Sequence, residues 1–179
     1  MELRFGLVWL LQGWLSMIVH SFMKQGFELV PVEIEVSLLP GVPNIHFVGL
    51  PDTSIRESVI RIKSALKHQG FEFPKGQQIV VNLRPAHLRK TSQGLDLAVA
   101  AAYLWKTGQV PQSLEGPPYY IYGELGLEGQ VHAPKDLPAL LSLSSTSPVL
   151  TGRGGEPQRF STYQISTLKE LSEPEIHPP

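Results

Sequence analysis

The chain reads as an α/β domain, one mixed sheet with helices packed against it. Three observations carry that reading. Residues 28–37 alternate strictly, with Val32, Ile34 and Val36 on one face and Glu33 and Glu35 on the other, the period of a half-buried strand. Residues 53–69 carry Ile55, Val59, Ile62 and Leu66 at helical spacing, which gives one apolar stripe. Residues 95–105 are apolar nearly all round, the mark of a helix buried in the middle of a domain.

The elements follow in order. Pro40-Gly41 makes a turn after the first strand, and 45–50 reads as the second strand of that hairpin. The helix over 53–69 has Ser54 and Glu57 at capping-box spacing, and Gly70 stands where a helix ends. Gln78–Leu83 is rich in β-branched residues and is stopped by Pro85, so it reads as a strand. Tyr119–Leu125 and Gly129–Ala133 flank Glu128-Gly129, an acidic-Gly turn between two strands. Asp136–Leu143 reads as a short helix, 148–151 as a last strand and 163–171 as one more small element. The order is β-β-α-β-α-β-β-α-β. Residues 173–179 are expected to be a tail or linker.

At 179 residues the chain is one domain, long enough to bury a core. Its 42% hydrophobic and 17% charged residues belong to a globular protein, and a net charge of -1 gives no global attraction to nucleic acid or membrane. Any basic function must be a local patch. There is no cysteine, which excludes disulfides, thiolate metal sites and a cysteine nucleophile and is compatible with a cytoplasmic location. The six histidines show no H-x-H or H-x-x-x-H spacing, so no metal is expected. No phosphate-loop motif is present; TGRGGEP (151–157) has glycines but no lysine. Residues 1–16 hold an apolar stretch broken by Gln12 and Gly13, too short to span a bilayer and poor as a signal peptide. They read as an upstream extension, as from a mis-assigned start codon, and the domain as residues 17–172.

Four stretches in order, PVEIEVSLLPGVP (31–43), VGLPDTSIRESVIRIKSALKHQGFEFP (48–74), QIVVNLRPAHLRKTSQGLDLAVAAAYL (78–104) and YGELGLEGQVHAPKDLPALL (122–141), resemble the N-terminal domain of the ComM/YifB-type, magnesium-chelatase-like AAA+ family. The resemblance runs from about residue 17 to about residue 150 and implies a Lon-protease-like domain with the fold of ribosomal protein S5 domain 2. The family's ATPase half lies outside these residues. ATP and magnesium would belong to that half, and no cofactor is expected on this chain.

A Lon-like domain invites a search for its serine–lysine dyad, which needs both groups within hydrogen-bond reach. Laying QGLDLAVA (93–100) and GELGLEGQVHAPKDLPA (123–139) over the Lon pattern puts Gly94 or a neighbour at the serine position and Pro138 near the lysine position. Neither side chain does that chemistry. Lys135 stands three residues earlier, where a shifted base could lie, but it has no serine to serve, and Thr91 and Ser92 fit helix capping better than attack. The chain is therefore expected not to be an enzyme.

Basic surface remains. Arg56, Lys63 and Lys67 share one side of the first helix, flanked by Arg61, and Arg84, Arg89 and Lys90 cluster in the LRPAHLRK loop (83–90). The short link from Gly70 to Gln78 suggests that the two segments meet, as one patch of about six positive charges. Such a patch contacts phosphates, although the loop has no Phe, Tyr or Trp for base stacking; the bland alternative is a solvated helix face and a structural loop. With the resemblance, two functions follow. The first is a non-catalytic domain of a ComM-like DNA motor, acting in natural transformation and branch migration and contacting single-stranded or branched DNA. The second is an assembly module docked on the AAA+ domain, in cis or trans, without DNA contact. Homo-oligomers would form through the absent domain, and no membrane partner is expected.

Overall fold

The structure, a computed structural model, describes residues 16–49, 52–86, 94–112, 120–138, 147–154 and 160–172, and the backbone of 175–177. In chain order the elements are β1 (Met17–Gln25), β2 (Glu28–Pro40), β3 (Ile45–Phe47), α1 (Thr53–His68), β4 (Gln77–Arg84), α2 (Leu95–Lys106), β5 (Tyr120–Ile121), β6 (Glu124–Leu125), β7 (Val131–His132), β8 (Val149–Gly152) and β9 (Thr162–Ile165). A 3₁₀ turn (Leu168–Ser172) and β10 (Glu175–His177) follow. Eight strands form one mixed sheet in the order β10-β9-β8-β5-β1-β2-β4-β3, and β6 and β7 make a separate hairpin. The α/β expectation holds.

The long antiparallel ladder β1–β2–β4 is the backbone of the sheet. Met17 to Gln25 pair with Val36 to Glu28, and Glu33 to Pro40 pair with Arg84 to Gln77. Alternation then sorts the side chains. Val19 and Met23, Val32, Ile34 and Val36, and Ile79, Val81 and Leu83 are buried in the main core with Ile55, Ile62 and Leu66 of α1. Both helices lie on this face. Every residue of α2 from Leu95 to Trp105 is buried, and its four alanines (98, 100, 101, 102) let it approach the sheet closely. A second cluster, built on Phe22, Tyr122, Leu137, Val149 and Phe160, covers the opposite face at the β1, β5 and β8 half. Over β1, β2 and β4 that face carries Ile18, His20, Glu33, Glu35, Asn82 and Arg84.

Several local expectations are corrected. β3 does not pair with β2; it runs parallel to β4 at the sheet edge, with Ile45 opposite Ile79 and Phe47 opposite Val81, so β4 is inserted between them. Residues 17–25, unassigned from sequence, form the central strand. Tyr120–Ile121 joins the main sheet beside β1 and β8, and only Glu124–Leu125 pairs with Val131–His132 across the acidic-Gly turn. The cap of α1 is Asp52, whose carboxylate accepts from Ile55 N at 3.1 Å and from Ser54 Oγ at 2.6 Å. Gly70 ends the helix in the left-handed region (φ 77°). Phe71 N donates to Leu66 O at 2.9 Å and Gly70 N to Lys67 O at 3.1 Å, which is a Schellman cap. Within the expected tail, Glu175–His177 pair antiparallel with Thr162–Gln164. The expected helix 136–143 falls largely outside the described residues.

Candidate functional site

The nucleophile position is the first test of chemistry. Gly94 caps α2 with φ 78°, a conformation costly for residues with a Cβ. A Cβ there would lie 2.1 Å from Cε2 of Tyr122, so the aromatic ring fills the space a serine would need. Gly123 N donates to Gly94 O at 2.9 Å and Leu97 N to Gly123 O at 3.1 Å, which clamps the start of α2 onto the segment after β5. Tyr122 is fully buried and donates its hydroxyl to Asp136 Oδ1 at 2.9 Å. Burial, reinforced by the Asp136 charge, pushes its phenol well above the usual range, so it stays a neutral donor. Pro138 is half-buried and offers no amine, and Lys135 is exposed. Thr91 and Ser92 lie outside the described residues.

A buried carboxylate sits in the first turn of α2, a helix whose sequence reads as apolar nearly all round. Asp96 is fully buried. It accepts from Ser58 Oγ, from Arg61 Nε at 2.6 Å and Nη2 at 3.3 Å, and from Leu125 N at 3.3 Å. These bonds tie α1, α2 and β6 together and leave the carboxylate with both a counter-charge and donors, as burial demands. The hydrogen bond that Arg61 donates to Asp96 raises the Arg61 pKa further. Arg61, counted beside the basic stripe, is thus committed to the interior.

The remaining cations divide. On α1, Arg56, Lys63 and Lys67 project within about 60° of one another at 3.6 residues per turn. Arg56 and Lys67 are exposed, while Lys63 holds its ammonium 5.5 Å above the Phe73 ring. Ile60, 62% exposed, stands in their midst. Arg84 points the other way. Its β4 neighbours Leu83 and Val81 face the helices, so Arg84 leaves the sheet on the opposite side, opposite Glu33. It meets Glu33 Oε2 at 3.4 Å and Glu35 Oε2 at 3.9 Å. The expected single patch of six is not formed by α1 and Arg84, because the sheet lies between them. Arg89 and Lys90 lie outside the described residues.

Around Arg84 the structure brings together residues that no sequence window linked. Tyr120 pairs with His20, His20 with Glu33, and Glu33 with Arg84, each as direct neighbours on adjacent strands. Direct neighbours point to the same face, so β5, β1, β2 and β4 present one transverse row, aromatic at one end and charged at the other. The row lines an open cleft of about 650 Å³ with Pro31 and Pro85 in its wall. The His20 and Tyr120 rings meet edge-on at 6.1 Å, and Tyr120 leans on buried Phe22 at 4.5 Å. Asn82 and Ser16, then Arg84, hold the neighbouring Glu35 carboxyl below its usual range. Among the described residues no three His, Asp or Glu side chains gather as metal ligands, and no helix is long and apolar enough to cross a membrane.

The family model for subunit ChlI of Mg-chelatase matches residues 34–147, which include β2 from Ile34 onward, both helices and the hairpin β6–β7. YifB of Salmonella typhimurium is 38% identical over 137 residues, covering 76% of this chain and 26% of that protein. Competence protein ComM of Haemophilus influenzae is 35% identical over 126 residues, covering 70% and 24%. The chain belongs to the ComM/YifB-type magnesium-chelatase-like family. It spans about a quarter of the length of the curated relatives it matches. The ComM/YifB resemblance stated from four sequence stretches is thereby established, and the matched region holds the Gly94–Tyr122 contact, the Asp96 network and the α1 stripe. His20 lies outside it, on β1.

Proposed function

We propose that the chain is a non-catalytic, S5-domain-2-like (Lon-like) N-terminal domain of a ComM-like AAA+ DNA motor, where it contacts nucleic acid or guides it to the motor. In this reading the protein works in the cytoplasm, its partner is the AAA+ domain of the family, and ATP and magnesium bind there. The observation that carries the non-catalytic part is the Tyr122 ring 2.1 Å from any Cβ at position 94. A serine nucleophile has neither the backbone conformation nor the room it needs. Nucleic-acid contact is supported by the α1 stripe of Arg56, Lys63 and Lys67, and by Arg84 beside the open cleft; Arg89 and Lys90 complete that set of candidates.

An assembly module is the second reading, and two observations favour it. Arg84 is already engaged by two carboxylates, and Ile60 puts an exposed apolar side chain among the α1 cations, a mixture that suits a protein surface better than a phosphate backbone. The non-catalytic claim is tested by incubating the chain with a fluorescent peptide or casein, where cleavage stays at background. Cleavage that disappears in Ser92→Ala or Lys135→Ala would overturn it.

A further inference from the structure

We propose that the cleft on the sheet face opposite α1 and α2 takes an unpaired base of a single-stranded nucleic acid, stacked on Tyr120, flanked by His20 and held at its edge by Glu33 and Arg84. This rests on the nucleic-acid reading above and deepens it. Sequence reading found no stacking residue in the loop that follows β4, yet folding places two aromatic rings in the same row as Arg84. Both come from strands remote in sequence, β1 and β5.

The parts match what an unpaired base needs. Tyr120 is a rigid platform because its ring rests on Phe22, which is fully buried, so little freedom is lost when a base stacks on it. A double helix hides base faces within its own stack, whereas a single strand offers them. The cleft volume of about 650 Å³ lies in the range of small-molecule sites. At the far end Arg84 supplies five N–H donors, of which the long contacts to Glu33 and Glu35 occupy Nε and Nη2. Glu33 supplies an acceptor, and both side chains are close to half exposed. Donor and acceptor side by side suit the hydrogen-bonding edge of a base.

The carboxylates also say which part of the nucleotide enters. Glu33 and Glu35 repel phosphate and leave Arg84 with little net attraction for it. A base is neutral and escapes that repulsion. Binding at this cleft therefore draws on stacking and depends only weakly on salt, unlike a contact made by the α1 stripe.

The test is fluorescence anisotropy of the full 179-residue chain with a labelled dT12 strand and with a duplex of equal length, followed by ultraviolet cross-linking and peptide mapping. The strand binds more tightly than the duplex and cross-links at Tyr120 or His20. Tyr120→Ala weakens strand binding about tenfold, a typical stacking loss, and His20→Ala weakens it less. Tyr120→Phe, which keeps the ring and its contact with Phe22, binds as the parent does and controls for folding. Strand binding unchanged in Tyr120→Ala and His20→Ala but lost in Arg56→Ala/Lys63→Ala/Lys67→Ala overturns the cleft and leaves nucleic-acid contact standing on α1. No binding of either probe at low salt overturns both. Equal affinity for strand and duplex, with no cross-link to the row, also overturns the cleft.

Discussion

A serine at position 94 would need a left-handed backbone and would drive its Cβ into the ring of Tyr122. The two penalties, strain and overpacking, together cost about 2–5 kcal/mol. Gly94→Ser is therefore expected to lower the urea midpoint of the chain and to create no peptidase; an unchanged midpoint would mean that Tyr122 moves aside freely. Asp96 is the other residue on which much depends. Arg61→Ala strips a fully buried carboxylate of its counter-charge, and about 3 kcal/mol of stability should go with it. Chemical denaturation reads this directly, and a loss below about 1 kcal/mol would show that Ser58 and Leu125 N suffice. Tyr122 adds a pH signature. Burial holds its proton in the folded chain to higher pH than in the unfolded chain, and Tyr103 is shifted the same way by burial. Below about pH 10 both states are protonated and this stability is whole; above it the unfolded phenols ionise first and stability drains away. Urea midpoints between pH 9 and 11 should fall, and less steeply in Tyr122→Phe.

At the scale of the elements, α1 faces two ways. Its inner face locks onto α2 through Asp96 while its outer face carries Arg56, Lys63 and Lys67. Replacing these three with alanine should weaken DNA binding across all sequences and flatten its salt dependence, with the fold unchanged by circular dichroism, since phosphate contacts carry no sequence information. A triple variant that binds with the parent's affinity and salt slope would remove α1 from the interface. The helices were plain in the sequence because their periods are local: the 53–69 stripe and the apolar run 95–105 needed no partner to be read. β1 was hidden because its core-facing positions include Ser21 as well as Val19 and Met23, while Phe22 is buried on the other face, so alternation is blurred. The pairing of β3 with β4 across the chain was invisible to a turn-based reading, which joins neighbours in sequence. Asp96 was overlooked for the opposite reason. One acid in an apolar helix looks like noise until its partners arrive from α1, although Ser58, a hydroxyl on the buried stripe, was a signal. The candidate site was legible only in its cations. Its aromatic half comes from β1 and β5, brought beside Arg84 by strand order alone.

For the molecule as a whole, what matters is how the described residues divide between the two faces of the sheet. Helices α1 and α2 cover one face, the smaller cluster around Phe22 and Tyr122 covers half of the other, and among the described residues a polar row lines a cleft beside it. Cations on α1 and on β4 therefore serve opposite surfaces, and a nucleic acid touching both would have to pass around an edge of the sheet. The family's ChlI-like region takes in both helices, β4 and β5 but neither β1 nor β8. The central claim, that this chain contacts nucleic acid without chemistry of its own, meets its most direct test in one titration. Single-stranded and branched DNA are titrated with the 179-residue chain across a salt series. Binding is expected at low salt, weakening as salt rises and leaving the DNA intact. Absence of binding at low salt would contradict it and leave the domain as an assembly module.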